Sequence, residues 1–216
     1  MDWRALASVL RVGLPIGIAT VAEVGVFLGA TIYAATLGAA DVAAHTLALR
    51  TAGVAYAIPA ALLQAAMVRM ARAETLGDQA IRGAVTASGL GLSLVLGACL
   101  FLALSLGAQP IARGFFDDSA AGTAAAGLAA GLLVLLGFME LLAGPGSTAA
   151  GLLRGRKDTR APMVFTLVGH WAVGAPIGIY LSVAQGLGIT GVWIGLAAGT
   201  LPSTLLTLGR LRAMPR

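Results

Sequence analysis

Apolar residues run along this chain in long blocks, separated by short charged segments. A helix needs about 20 apolar residues to cross a bilayer. Six blocks meet that length, at about 9–37, 42–70, 84–107, 124–153, 162–184 and 189–208. The first, second and fourth exceed the minimum, which predicts tilt, kinks or ends that project from the bilayer. The pattern predicts an all-α, polytopic membrane protein folded as a single six-helix transmembrane lobe.

Composition supports the same class. Of the 216 residues, 58% are hydrophobic and 11% charged, with a mean hydropathy of +0.92. A soluble domain carries about 25% charged residues, so these charges are too few to cover a water-facing surface. The net charge of +5 would fit a nucleic-acid partner. That partner is set aside, because the basic residues sit in short loops and no basic face with interleaved aromatics occurs. The lone Cys99 lies in an apolar block and offers neither a disulfide framework nor a metal cluster. The first apolar block is too long for a signal-peptide core and contains Glu23, so it is expected to remain in the membrane.

The loops predict orientation. All 14 basic residues except Arg50 and Arg113 flank one side, from Arg4 to Arg216. By the positive-inside rule both termini are then cytoplasmic. An even number of spans requires the same.

Small residues recur at four-residue spacing: Gly127 and Gly131, Gly174 and Gly178, then Gly191, Gly195 and Gly199. Such pairs let helices approach closely in lipid. Pro15, Pro59, Pro145, Pro176 and Pro202 fall inside predicted spans and each removes a backbone donor. Gly144-Pro145-Gly146 is the strongest expected break in a helix.

A charge inside the bilayer costs at least about 2.5–3.5 kcal/mol, so each one needs a reason. Glu23, Arg50 and Glu140 lie well inside predicted spans. Counted at about 1.5 Å per residue, Glu23 and Glu140 fall at similar depth. If their helices are neighbours, the two acids face one cavity. There they would hold a proton, a metal cation or an organic cation, or else serve as structural acids satisfied by hydroxyls or by Arg50. Arg50 is a candidate charge partner. Gln64 and His45 are candidates for polar cavity lining or packing. His170, like His45, has no partner at metal-ligand spacing, and a structural role is expected for both. No nucleophile elbow, phosphate loop or dinucleotide fingerprint occurs, so no enzyme and no cofactor are expected.

Four stretches resemble the C-terminal half of the multidrug and toxic compound extrusion (MATE) family. GLPIGIATVAEVGVF (13–27) is similar to the start of that family's seventh helix, with its characteristic acid. AAHTLALR (43–50) resembles its A-A-H-Q-I-A-L-N segment, and IPAALLQAAMVRMARA (58–73) the close of its eighth helix. GLLRGRKDTRAPM (151–163) resembles the loop between its tenth and eleventh helices. The resemblance implies an inner-membrane antiporter that exports amphipathic, cationic compounds in exchange for H⁺ or Na⁺ by alternating access. It aligns Glu23 with the acid that helps bind the coupling ion. Many members carry an Asp in register with Ala143, and Glu140 lies about one turn earlier. Arg50 stands where the family often has Asn.

The family is built from two related lobes, each comparable to this whole chain. The expected partners are therefore the bilayer, a small-molecule substrate and a second six-helix lobe, either a separate chain or a second copy. Two other classes stay open. One is a non-transporting assembly subunit or truncated fragment; the other is a lipid-linked precursor flippase, to which Arg50 points.

Overall fold

The computed structural model describes residues 3–214, without the side chains of residues 4, 5 and 8. Arg216 and the Arg4 side chain, both used above for orientation, lie outside the described part. The described residues are helical apart from short connections. The elements are α1 (Trp3–Leu37), α2 (Ala39–Ala55), α3 (Ala57–Leu76), α4 (Gln79–Phe115), α5 (Ala120–Gly155), α6 (Arg160–Leu167), α7 (Ala175–Ile179) and α8 (Gly188–Ala213). Two π-helical segments, Val168–Gly174 and Tyr180–Ala184, flank α7 and make α6–α7 one continuous fifth span. Six segments are long and apolar enough to cross a membrane, and most extend a turn or more beyond the sequence-predicted ends.

The second span bends where a donor is missing. Pro59 has no N–H to offer the carbonyl of Ala55, so the ladder breaks and α3 restarts at Ala57. Tyr56 bridges the bend: its N–H donates to Ala52, and its carbonyl accepts from Ala60.

Gly144-Pro145-Gly146 does not break α5, contrary to expectation, and all three residues are buried. The reason lies in the neighbours. Pro145 strands a carbonyl one turn back, and beside it Thr204 Oγ1 of α8 donates 3.0 Å to the carbonyl of Leu142. A hydroxyl from an adjacent helix thus adds a donor at the turn that proline disturbs, on the carbonyl next to the stranded one. The two glycines leave room for α4 and α8 to close in. A Cβ at Gly144 would sit 3.3 Å from the Ser93 carbonyl, and one at Gly146 would collide with Thr204.

Helix α5 is the hub, in contact with α2, α3, α4 and α8. It buries more than half of its apolar window, against less than a fifth for α4. In lipid no hydrophobic drive pulls helices together, so close approach of backbones has to do it. A Cβ on Gly137 would meet the Cα of Phe101 at 3.2 Å, and one on Gly97 the Cα of Leu141 at 3.2 Å. The seam between α8 and the fifth span is tighter still. A Cβ at Gly195 would overlap the backbone of Gly178, and at Gly199 it would lie 2.5 Å from the Gly169 carbonyl. Gly127 and Gly131 do not share this use; both are exposed with nothing within 4 Å.

Charged side chains pin one end of the bundle. Glu74 of α3 pairs with Arg82 at 3.3 Å and Arg156 at 2.9 Å. Asp158, in the loop after α5, accepts from Arg210 of α8 at 2.9 Å and from the Ala161 N–H at 3.2 Å. These pairs are partly exposed, and pairs of that kind contribute about 0–1 kcal/mol each. Their role is to tie loop to helix.

Candidate functional site

Helices α1, α2, α3, α5, α8 and the fifth span surround a cavity of about 410 Å³. From α1 it takes Thr20, Glu23 and Phe27, one helical face. That face is fixed from behind, where Trp171 Nε1 donates 3.0 Å to the carbonyl of Ala22. From α5 come Met139, Glu140, Ala143, Ser147 and Arg154. The bend at Tyr56 aims its phenol into the same space.

The structure brings the two acids together. Glu23 and Glu140 line one cavity and interact electrostatically. Glu140 is 8% exposed, and its Oε2 is buried without a hydrogen-bond partner. Glu23 is half-buried, with Arg154 and His170 near enough to act on its charge. Tyr56 sits within the field of Glu23, Arg154 and Glu140 together. A buried carboxylate oxygen with no donor is costly to leave unpaired. In a cavity of this size it is a place for a proton or a cation, and Phe27 and Tyr56 add faces that attract cations.

Three sequence-based assignments change. Arg50 is exposed and does not border the cavity, so it is not the charge partner of either acid. Leu49, Ala52, Gly53 and Tyr56 form the inward face of α2, and Arg50 lies about 100° around the helix from Leu49. The cation that acts on Glu23 is Arg154, whose Nε is buried and unpartnered. Gln64 is also exposed and outside the cavity, where Leu63 takes the inward position. His45 keeps the packing role, one of its two expected uses, buried in the core between Thr31 and Trp193. His170, read from sequence as structural, borders the cavity, with Nδ1 donating 3.2 Å to the Thr166 carbonyl.

Arg154 escaped notice because the fourth predicted span ended at 153 and gave it to a loop. Its signal was phase: it follows Glu140 by about four helical turns, hence on nearly the same face. The hydroxyls of α8 gave no signal at all. Thr200, Thr204 and Thr207 line the cavity while donating to the carbonyls of Leu196, Leu142 and Ser203.

Known proteins share both sequence and fold with this chain. The family model described as MatE matches residues 15–180. A "Probable multidrug resistance protein NorM" of Xanthomonas axonopodis pv. citri is 38% identical over 217 residues, covering 99% of this chain and 46% of the relative. The protein of the same name from Agrobacterium fabrum is 36% identical over 95% of this chain and 44% of its own length. Among solved structures, the eukaryotic MATE transporter AtDTX14 superposes with a TM-score of 0.84 at 19% identity, covering 99% of this chain and 47% of that one. A MATE transporter in an outward-facing and in an inward-facing conformation each match with a TM-score of 0.82. The chain spans about half the length of the curated relatives it matches. It is a multi-pass membrane protein, and it belongs to the MatE family.

Proposed function

We propose that this lobe is one half of an antiporter that exports amphipathic, cationic compounds in exchange for H⁺ or Na⁺. The observation that carries this is the single cavity shared by Glu23 and Glu140. Two carboxylates in a low-dielectric space bind cations, and a site that takes either a coupling ion or an organic cation exchanges one for the other. The second wall comes from another six-helix lobe, as a separate chain or a second copy, and transport proceeds by rocking of the two. Equal likeness to an outward-facing and an inward-facing transporter supports a lobe that moves as a body. The loop charges support residence in the inner membrane with both termini cytoplasmic.

The test is ethidium transport in vesicles containing this chain and its second lobe, driven by a proton or a sodium gradient. Glu23→Gln is expected to remove gradient-driven transport. Coupling that survives the substitution would falsify the assignment of Glu23.

One observation favours a second reading. The Arg154 guanidinium in the cavity suits an anionic headgroup, as in flipping of a lipid-linked precursor. Competition between such a lipid and ethidium separates the two, because only an anionic-lipid site would prefer the lipid.

A further inference from the structure

Away from the cavity mouth, His45 stands out: a titratable side chain 1% exposed, in the middle of an apolar core. Both ring nitrogens are engaged. Trp193 Nε1 lies 3.1 Å from Nδ1, and Thr31 Oγ1 lies 2.9 Å from Nε2. The chemistry of the partners fixes the protons. An indole N–H can only donate, so Nδ1 is the acceptor and carries no hydrogen. The Thr31 hydroxyl spends its own hydrogen on the carbonyl of Phe27, 3.0 Å away, so it accepts from Nε2–H. The relay therefore runs one way, from Trp193 of α8 through His45 of α2 to Thr31 and the Phe27 carbonyl of α1. It exists only with a neutral ring protonated on Nε2, since a second ring proton would face the indole N–H.

The relay ends where the cavity wall begins. The Phe27 side chain borders the cavity, and its ring meets Trp193 edge to face at 6.3 Å between centroids. The His45 ring also meets Trp193 edge to face, at 6.0 Å. Glu23 is one turn before Phe27 on the same face of α1.

We infer that His45 is a positioning residue: with its proton on Nε2, it clamps the α1 turn bearing Phe27 and Glu23 against α8 and so sets one wall of the cavity. The use of that wall rests on the function proposed above, whereas the clamp itself does not. Nitrogen NMR of the full chain in nanodiscs reads the tautomer directly, and the Nε2–H form is expected. Fluorophenylalanine at position 27 reads the wall. One fluorine signal is expected in the native chain, displaced in Trp193→Phe, in Thr31→Val and in His45→Leu. His45→Asn keeps an acceptor for Trp193 and should retain more of the native signal. A fluorine probe at Phe165 on α6 should stay unmoved in all four variants. If His45→Leu does not fold, Trp193→Phe and Thr31→Val still decide, the first removing the bond at Nδ1 and the second the two bonds beyond Nε2. A Phe27 signal that ignores these substitutions overturns the inference, as does the opposite tautomer or a charged ring. Ethidium binding, measured in parallel, should weaken by about fivefold when one bond of the relay is lost. If the native chain together with its second lobe fails to bind ethidium, the proposed export function falls, and the fluorine signal alone judges the clamp.

Discussion

Helix α1 stands between two hollows of nearly equal size. One face borders the cavity of about 410 Å³ described above; the other borders a hollow of about 360 Å³ against the fifth span and α8. The first contains Glu23, Glu140 and Arg154. The second is walled by Gly25, Gly29, Gly174, Gly178 and apolar side chains, with Tyr33 and Ser182 bonded to each other at 2.8 Å. Volume does not distinguish them. The difference is whether polar atoms are left with chemistry to do. In the second hollow the hydroxyls answer one another, whereas in the first Glu140 Oε2 and Arg154 Nε have no partner.

Helix α8 walls both hollows, so its seam with the fifth span should be the most sensitive point. Gly195→Leu drives a side chain into the backbone of Gly178, which cannot turn aside as a side chain would. A loss of at least about 3 kcal/mol is expected, at or beyond the upper end for overpacked cores, read as lowered thermal stability in detergent. Both hollows should fail together; survival of either would break the comparison at its base.

Glu23→Gln separates the two without disturbing the fold. Gradient-driven ethidium transport should drop at least about tenfold, with unfolding temperature held. A matched pair of fillings sharpens the contrast further. Gly53 borders the first hollow and Gly29 the second, and a Cβ on either meets nothing within 4 Å. Gly53→Leu should weaken ethidium binding about tenfold. Gly29→Leu should leave binding unchanged and stability within about 0.5 kcal/mol. Equal effects on binding would mean that the second hollow also receives substrate. A small loss is also expected of Trp171→Phe, which removes the bond to Ala22 behind α1. About 0.6 kcal/mol of stability is expected to go, the typical worth of an interhelical hydrogen bond in a bilayer.

The spans were legible because the cost of burying polar backbone in lipid leaves few alternatives to long apolar helices. The two acids were legible for a related reason: a charge inside such a block is conspicuous. What stayed hidden depended on rotation and on boundaries. Arg50 and Glu23 look equally buried along the chain, yet one points out and the other in, and only packing against α5 decides which. Arg154 was lost to a boundary two residues short of the end of α5. Gly144-Pro145-Gly146 looked like a break because the helix packed against it, with the Thr204 hydroxyl, lies far along the chain. The bonds of His45 to Thr31 and Trp193 were hidden in the same way, with partners on two other helices.

The seam between α8 and the fifth span has a consequence for how this protein can vary. Where side chains meet side chains, a bulky replacement on one helix can be excused by a smaller one opposite. Where backbone meets backbone there is nothing opposite to shrink. In a saturation library, positions 195 and 199 should therefore accept almost no substitution singly and find no rescuing second site. Lipid-facing positions such as Val95 and Leu106 should drift freely among apolar residues. Change in this lobe is expected to accumulate on its rim, while α8 and the fifth span are inherited as one piece.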